Sequence, residues 1–180
     1  FRSWIILVVI MAILVTGAAG FIGSALSERL AERREELICL DNFDDFYSPQ
    51  RKRLNIQPLL SSRAVRLYEG DIRNQPLCTK LIRDHAIDVV YHLAARPGPR
   101  PSLKAAALYQ DVNCGGTISL LEAAVKAGVQ KFIFASSSSV YAASTPIPFR
   151  EDSAADQPYS PYGATKRACE LFCYAYHHLY

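Results

Sequence analysis

Tyr162 and Lys166, in the run Tyr162-Gly163-Ala164-Thr165-Lys166, stand four residues apart, which places a phenol and an amine on one face of a helix. The chemistry open to such a pair is proton transfer. Tyrosine ordinarily titrates near pH 10, so a phenol acting as a base near pH 7 requires a shift of about three units, worth roughly 4 kcal/mol. A nearby ammonium favours the phenolate and supplies part of that shift. Two further features precede the pair: a glycine-rich turn, Thr16-Gly17-Ala18-Ala19-Gly20-Phe21-Ile22-Gly23, and a serine run, Ser136 to Ser139, at the end of an apolar segment. The spacing of the tyrosine and lysine is common by chance. Its place after the other two features gives it weight.

The elements that must position these groups alternate along the chain. An apolar, β-branched run from Ile10 to Val15 precedes the glycine turn, and an amphipathic pattern (Phe21, Ile22, Ala25, Leu26, Leu30) follows it, so the segment reads as strand, tight turn and helix. Gly17 permits the sharp turn, Gly20 removes a side chain where a pyrophosphate must approach the backbone, and Gly23 lets the helix pack closely. The helix N-terminus, with its unpaired N–H groups and positive dipole end, then faces the phosphates. The first helix spans about Phe21 to Glu35, and Leu37 to Leu40 is a second strand ending at Asp41-Asn42. An acidic residue about 20 positions after the glycine turn suits a hydrogen bond to an adenosine ribose, and Asp41 would repel a 2′-phosphate, so NAD is expected over NADP. Capping falls more naturally to the segment Asp44 to Pro49 than to Asp41.

A helix is expected near Gln50 to Leu60, a third strand at Ala64 to Tyr68, and a helix from Asn74 or Gln75 to Ala86. Asp71 and Ile72, just past the third strand, are placed where an adenine would rest. Asp88 to Leu93 is a fourth strand, whose end Ala94 and Ala95 keep narrow for a closely passing cofactor. Arg96 to Pro101 reads as a stiff loop, Ser102 to Ala127 as one long helix stopped by Gly128, and Lys131 to Ala135 as a fifth strand. After a loop-like stretch to Pro158, Ser160-Pro161 opens a last helix carrying Tyr162 and Lys166. This alternation predicts right-handed crossovers and an α/β, Rossmann-type doubly wound parallel sheet. The sequence stops before the sixth strand such a sheet normally has. A fragment is therefore expected: 1–10 an apolar extension, 11–180 an incomplete dinucleotide-binding domain, and a substrate-binding region beyond it.

Composition narrows the partners. The chain has 180 residues, half of them apolar, and a net charge of +3, which is too small to argue for nucleic acid. The apolar run from Trp4 to Val15 is shorter than the roughly 20 residues that span a bilayer, so no membrane partner is expected. The five cysteines are scattered, odd in number and form no C-x-x-C pair, which favours reduced thiols in a reducing compartment such as the cytoplasm. The four histidines offer no metal spacing, and His92 reads as a structural histidine closing a strand.

With these motifs in register from Met11 to Tyr180, the chain resembles the extended short-chain dehydrogenases/reductases, in particular the NAD-dependent nucleotide-sugar epimerases and dehydratases. The resemblance implies that Phe21 and Ile22 contact a pyrophosphate through their backbone, Asp41 and Asn42 hold the adenosine ribose, and Asp71 and Ile72 flank adenine. It further implies that Leu93, Ala94, Ala95 and Asn113 line the nicotinamide half. Ser137, four residues before Tyr141, corresponds to the catalytic hydroxyl, Tyr162 to the base, and Lys166 to its electrostatic partner, which also holds the nicotinamide ribose. Relatives that dehydrate or decarboxylate sugars carry acidic residues where this chain has Ser138 and Ser139, so epimerisation at carbon 4 is the expected reaction. The segments Asn42 to Tyr47 and Ala135 to Tyr141 look most like those of enzymes acting on UDP-glucuronate, with Arg100, Ser138 and Ser139 as candidates for holding its carboxylate. A UDP-glucose 4-epimerase or another nucleotide-sugar dehydratase or decarboxylase is the alternative among enzymes, and a non-catalytic NAD-binding module or an inactive fragment the alternative of another kind. Many relatives are homodimers, and the same is expected here. Pro97, Pro99 and Pro101, with Ala142 after Val140-Tyr141, depart from the family's usual pattern at the substrate end.

Overall fold

Successive residues of a strand point to opposite faces, and the first strand shows what that does here. In β1 (Ala12–Thr16), Ala12 and Leu14 join one buried apolar cluster while Ile13 and Val15 join another. β2 (Glu36–Asp41) repeats the division, with Ile38 and Leu40 on the first side and Leu37 and Cys39 on the second. A strand apolar on both faces must be covered on both, which is why its sequence reads as an unbroken apolar run. The computed structural model describes residues 11–33 and 35–180. The expected extension at 1–10 lies outside the described residues.

Three further strands, β3 (Val65–Glu69), β4 (Val89–His92) and β5 (Lys131–Phe134), complete a parallel sheet of order β3-β2-β1-β4-β5. The fold is Rossmann-like, as the alternation predicts. Helices α1 (Phe21–Glu32) and α2 (Pro49–Ile56) cover one face, burying Leu30 and Ile56. On the other, α3 (Gln75–Asp84) brings Cys78, Leu81 and Ile82 against the sheet. The chain winds outward from β1 to β3, then returns to place β4 on the other side of β1. Ligands bind open α/β sheets in the crevice at such a reversal, beyond the carboxyl ends of the strands.

Two segments differ from the sequence expectation. The expected stiff loop ends in a helical turn, α4 (Pro99–Ser102), because Pro99 and Pro101 have backbone angles suited to a first helical turn. The expected long helix from Ser102 is broken: α4 gives way at Leu103–Ala105, and a second turn, α5 (Ala106–Tyr109), leads into a π-helical stretch, Gln110–Gly115, before α6 (Gly116–Ala127). α6 buries Leu120, Ala123 and Ala124 in the same cluster as α3 and ends at Gly128, whose φ of 75° is the left-handed conformation that a C-terminal glycine supplies. The final helix, α7 (Pro161–Leu179), begins where the Ser160 side chain accepts from the Gly163 amide and Pro161 occupies the first turn.

Candidate active site

The glycine turn after β1 is held by geometry that only glycine tolerates. Gly17 has φ of 68°, and a Cβ there would lie 2.8 Å from the Ala94 nitrogen. A Cβ on Gly23 would overlap the Gly17 carbonyl oxygen, so this glycine lets α1 fold back against its own turn. No side chain caps α1 at Gly20. Its first N–H groups have no intrahelical acceptors, and Phe21, Ile22 and Gly23 line the crevice, an arrangement suited to an anion.

A cleft of about 370 Å³ opens from this turn. It is lined by Gly17, Gly20, Phe21, Ile22, Gly23, Asp41, Asn42, Asp71, Ile72, Leu93, Ala94, Ala95, Tyr162 and Lys166. Fourteen positions drawn from five segments of sequence thus converge on one hollow, together with Ser136. The remaining expected site residues do not line it. Asn113 is buried, its amide oxygen accepting from the Arg96 amide at 2.7 Å and its nitrogen donating to the Arg96 carbonyl and to Thr165 Oγ1. It therefore fixes the loop after β4 instead of facing the cleft. Arg100 lies on the exposed side of α4. Ser137 and Ser138 line an adjoining, more open hollow of about 280 Å³ with Tyr141, Phe149 and Glu170, which shares Ser136 with the cleft, and Ser139 lines neither.

The serine run turns away because Ser137 caps a short 3-10 turn, its Oγ accepting from the Ser139 amide at 3.2 Å. Ser136, one residue earlier, is the serine that reaches the cleft, and its hydroxyl donates to Glu170 Oε1 at 2.5 Å.

Asp41 has more to do than its ribose assignment requires. One carboxylate oxygen accepts from the Ala19 amide in the glycine turn and the other from the Phe43 amide in its own loop. The helix cap falls in the expected segment, where Ser48 accepts from the Arg51 amide at the start of α2, and Asp41 in addition ties the two cleft-lining loops together. Asp41→Ala leaves both amides without their acceptor, and a fall in melting temperature of about 2–12 °C is expected. Thermal unfolding of the variant checks this, and an unchanged midpoint would contradict it. Beside it, Asn42 Nδ2 donates to Asp71, whose carboxyl is held below its usual range chiefly by the Arg73 guanidinium.

Four charged groups on the cleft wall, Asp44, Lys52, Arg73 and Arg96, were missed by sequence reading. Arg96 pairs with Asp44 at 2.9 Å across the crevice mouth, and the buried Lys52 donates to the Asp44 carbonyl at 2.7 Å. Arg96 and Asp44 come from different loops 52 residues apart, so no local spacing announces them.

Lys166 is 3% exposed, with its ammonium donating to the Ala135 carbonyl at 2.8 Å and lying 4.7 Å from the centre of the Phe134 ring. Burial draws its pKa down to about 8, opposed by the nearby Cys169, Cys114 and Cys173. Below that value the folded and unfolded chains both hold the proton, and the cost of burying the charge is fully present. Above it the folded chain releases the proton while the unfolded chain keeps it up to the ordinary value of 10.5, so stability contributed at this site rises with pH across that window. Denaturant unfolding of the wild type and of Lys166→Met at about pH 7 and about pH 10 tests this. The wild type should gain on the variant as pH rises, and a loss would contradict the assignment. Neighbouring His92 is the structural histidine expected: its nitrogens meet Thr16 Oγ1 at 2.7 Å and Thr117 Oγ1 at 2.9 Å, and burial followed by the Lys166 charge lowers its pKa to about 3.

Comparison with known proteins places this geometry. The chain is 42% identical over 167 residues to a UDP-glucuronate 4-epimerase from Thermodesulfobacterium geofontis, covering 93% of this chain and 51% of that protein. Its structure resembles that of the UDP-glucuronic acid 4-epimerase from Bacillus cereus, solved with UDP-glucuronic acid and NAD, at a TM-score of 0.85 and 41% identity over 93% of this chain and 52% of that one. It also resembles a UDP-glucose 4-epimerase from Stenotrophomonas maltophila with bound NAD, at a TM-score of 0.82 and 33% identity over 92% of this chain and 48% of the other. The chain thus spans about half the length of these relatives. Residues 13–180 match the profile of a single family, and on that match the chain belongs to the NAD dependent epimerase/dehydratase family.

Proposed function

We propose that this protein is an NAD-dependent nucleotide-sugar 4-epimerase that interconverts UDP-glucuronate and UDP-galacturonate. The observation that carries the reading is the convergence of Tyr162 and Lys166 with the uncapped N-terminus of α1 on one cleft. The cleft fits the cofactor: Gly17 lets the turn pack directly on the Leu93–Ala94 backbone, and the first residues of α1 line a place for a diphosphate. Phe21 and Ile22 would hold that diphosphate through their amides, Asp41 and Asn42 the adenosine ribose, and Asp71 and Ile72 the adenine. Leu93, Ala94 and Ala95 would border the nicotinamide. When bound, NAD supplies a hydride acceptor that takes hydrogen from carbon 4 and returns it to the other face, so no net redox change results.

Tyr162 would take the proton of the 4-hydroxyl and return it to the carbonyl oxygen after the 4-keto sugar turns over. Lys166 would stabilise the phenolate by its charge and bind the nicotinamide ribose. For the assisting hydroxyl, Ser137 is the residue assigned by resemblance, and Ser136 the one that lines the cleft. Comparison of Ser136→Ala with Ser137→Ala separates them by which one loses turnover. UDP-glucuronate is favoured over UDP-glucose because identity to UDP-glucuronate 4-epimerases reaches 41–42%, against 33% for the UDP-glucose enzyme. A homodimer accords with α7, which exposes Leu171, Tyr174 and Leu179. Five free cysteines, four of them buried, suit a reducing compartment such as the cytoplasm.

The test is to incubate the full-length gene product with NAD and UDP-glucuronate and follow the sugar by NMR. Appearance of UDP-galacturonate supports the reading. NAD binding without any change in the sugar would overturn the choice of substrate, and UDP-glucose would be next.

A further inference from the structure

The first amides of a helix need acceptors, and α7 obtains two of them differently. Ser160, just before the helix, accepts from Gly163 at 3.0 Å. Pro161 has no amide to satisfy. The Tyr162 amide is instead taken by Ser102 Oγ, at 3.1 Å, from a turn 60 residues earlier in the chain. Ser102 is fully buried, and its hydroxyl also donates to the Pro99 carbonyl at 2.6 Å, so both capacities of the hydroxyl are in use.

The same loop touches the Tyr162 ring. Tyr109, 1% exposed, donates its hydroxyl to the Pro97 carbonyl at 2.6 Å and presents its ring edge-on to Tyr162, with centroids 6.2 Å apart and planes at 82°. The loop thus holds Tyr162 at its backbone through Ser102 and at its ring through Tyr109, while its own Arg96 and Pro97 line the cleft. Prolines 97, 99 and 101 make this support stiff.

We infer that Ser102 is a positioning residue for the reaction, setting the Tyr162 phenol against the sugar by anchoring the Tyr162 backbone to the loop that borders the sugar's end of the cleft. The inference rests on Tyr162 being the base. Loss of the anchor leaves a Tyr162 amide without an acceptor and frees the start of α7 to shift. Catalysis is sensitive to such shifts, since a misplacement of about 1 Å can cost on the order of 100-fold in rate. Most contacts expected for NAD lie on α1 and at the ends of β2 and β3, and Lys166, on α7, is anchored separately to the Ala135 carbonyl, so NAD affinity is expected to change little.

The experiment measures kcat, KM and NAD affinity in the full-length protein for Ser102→Ala, for Ser102→Cys, which keeps the shape in a slightly larger side chain but is a poor acceptor, and for Ser102→Thr, which keeps the hydroxyl. Asn74→Ala is the stability control, because Asn74 caps a different helix, α3, by accepting from the Leu77 amide. The inference predicts a fall in kcat of roughly tenfold or more for the Ala and Cys variants, with KM and NAD affinity within about twofold of wild type. It also predicts recovery in the Thr variant and an unchanged kcat in Asn74→Ala. If Ser102→Ala does not fold, the Cys variant decides. Wild-type kcat in the Cys variant, or a loss confined to KM and NAD affinity, overturns the positioning role. Tyr162→Phe measured alongside separates the failures: if it loses turnover, only the Ser102 inference falls, and if it retains turnover, both fall.

Discussion

Tyr162→Phe is expected to lower kcat by about 10²–10⁴-fold while NAD affinity stays within a few-fold of wild type. The substitution removes one oxygen and keeps the ring, so the edge-on contact with Tyr109 survives. The Tyr162 amide keeps its bond to Ser102, which does not involve the side chain. What disappears is the only part of the residue able to accept a proton. A stopped assay of sugar epimerisation together with a titration of NAD measures both quantities. Retained turnover would remove Tyr162 from the chemistry, and lost NAD binding would make its role structural.

The second large effect is expected at Gly23. A Cβ there overlaps the Gly17 carbonyl oxygen and lies 2.9 Å from the Gly17 carbonyl carbon and 3.0 Å from the Ala18 Cα, all of them backbone atoms with no rotamer to yield. In Gly23→Ala the start of α1 must therefore move off the turn. Overpacking of this kind costs about 1–3 kcal/mol, and the amides meant for the diphosphate move with the helix. NAD affinity is expected to weaken by about 10–100-fold, since each 1.4 kcal/mol is a factor of ten. Calorimetric titration of NAD into the variant checks it. Wild-type affinity would show that the first turn of α1 does not set the cofactor site.

The parts of this molecule legible in its sequence are those governed by neighbours along the chain. The unbroken apolar runs of β1 and β2 announced strands covered on both faces, and their residues divide between two clusters accordingly. Gly17, needing a positive φ, and Gly128, closing α6, were visible from local rules. So was the pairing of Tyr162 with Lys166 on one helix face, which places both in the cleft.

What was not legible depends on contacts between distant segments. Asn113 resembles a cleft residue, yet its amide is consumed by Arg96 and Thr165, neither near it in sequence. Ser102 reads as the start of a helix, and its acceptor role depends on an amide 60 residues later. The serine run was ambiguous for another reason: four identical residues carry no internal register, and the cap made by Ser137 turns the run by one position, leaving Ser136 at the cleft. The break between α4 and α6 escaped because a π-helical stretch keeps nearly helical periodicity while shifting each following side chain around the axis.

The most direct measurement follows the hydrogen on carbon 4. UDP-glucuronate carrying deuterium at that carbon is incubated with the full-length protein and NAD, and the UDP-galacturonate formed is examined by NMR and mass spectrometry. A hydride that leaves and returns within one closed site predicts product with deuterium still on carbon 4 and the configuration there inverted. Product that has lost the deuterium to solvent would contradict the account, as would recovery of labelled UDP-glucuronate unchanged alongside turnover of a different sugar.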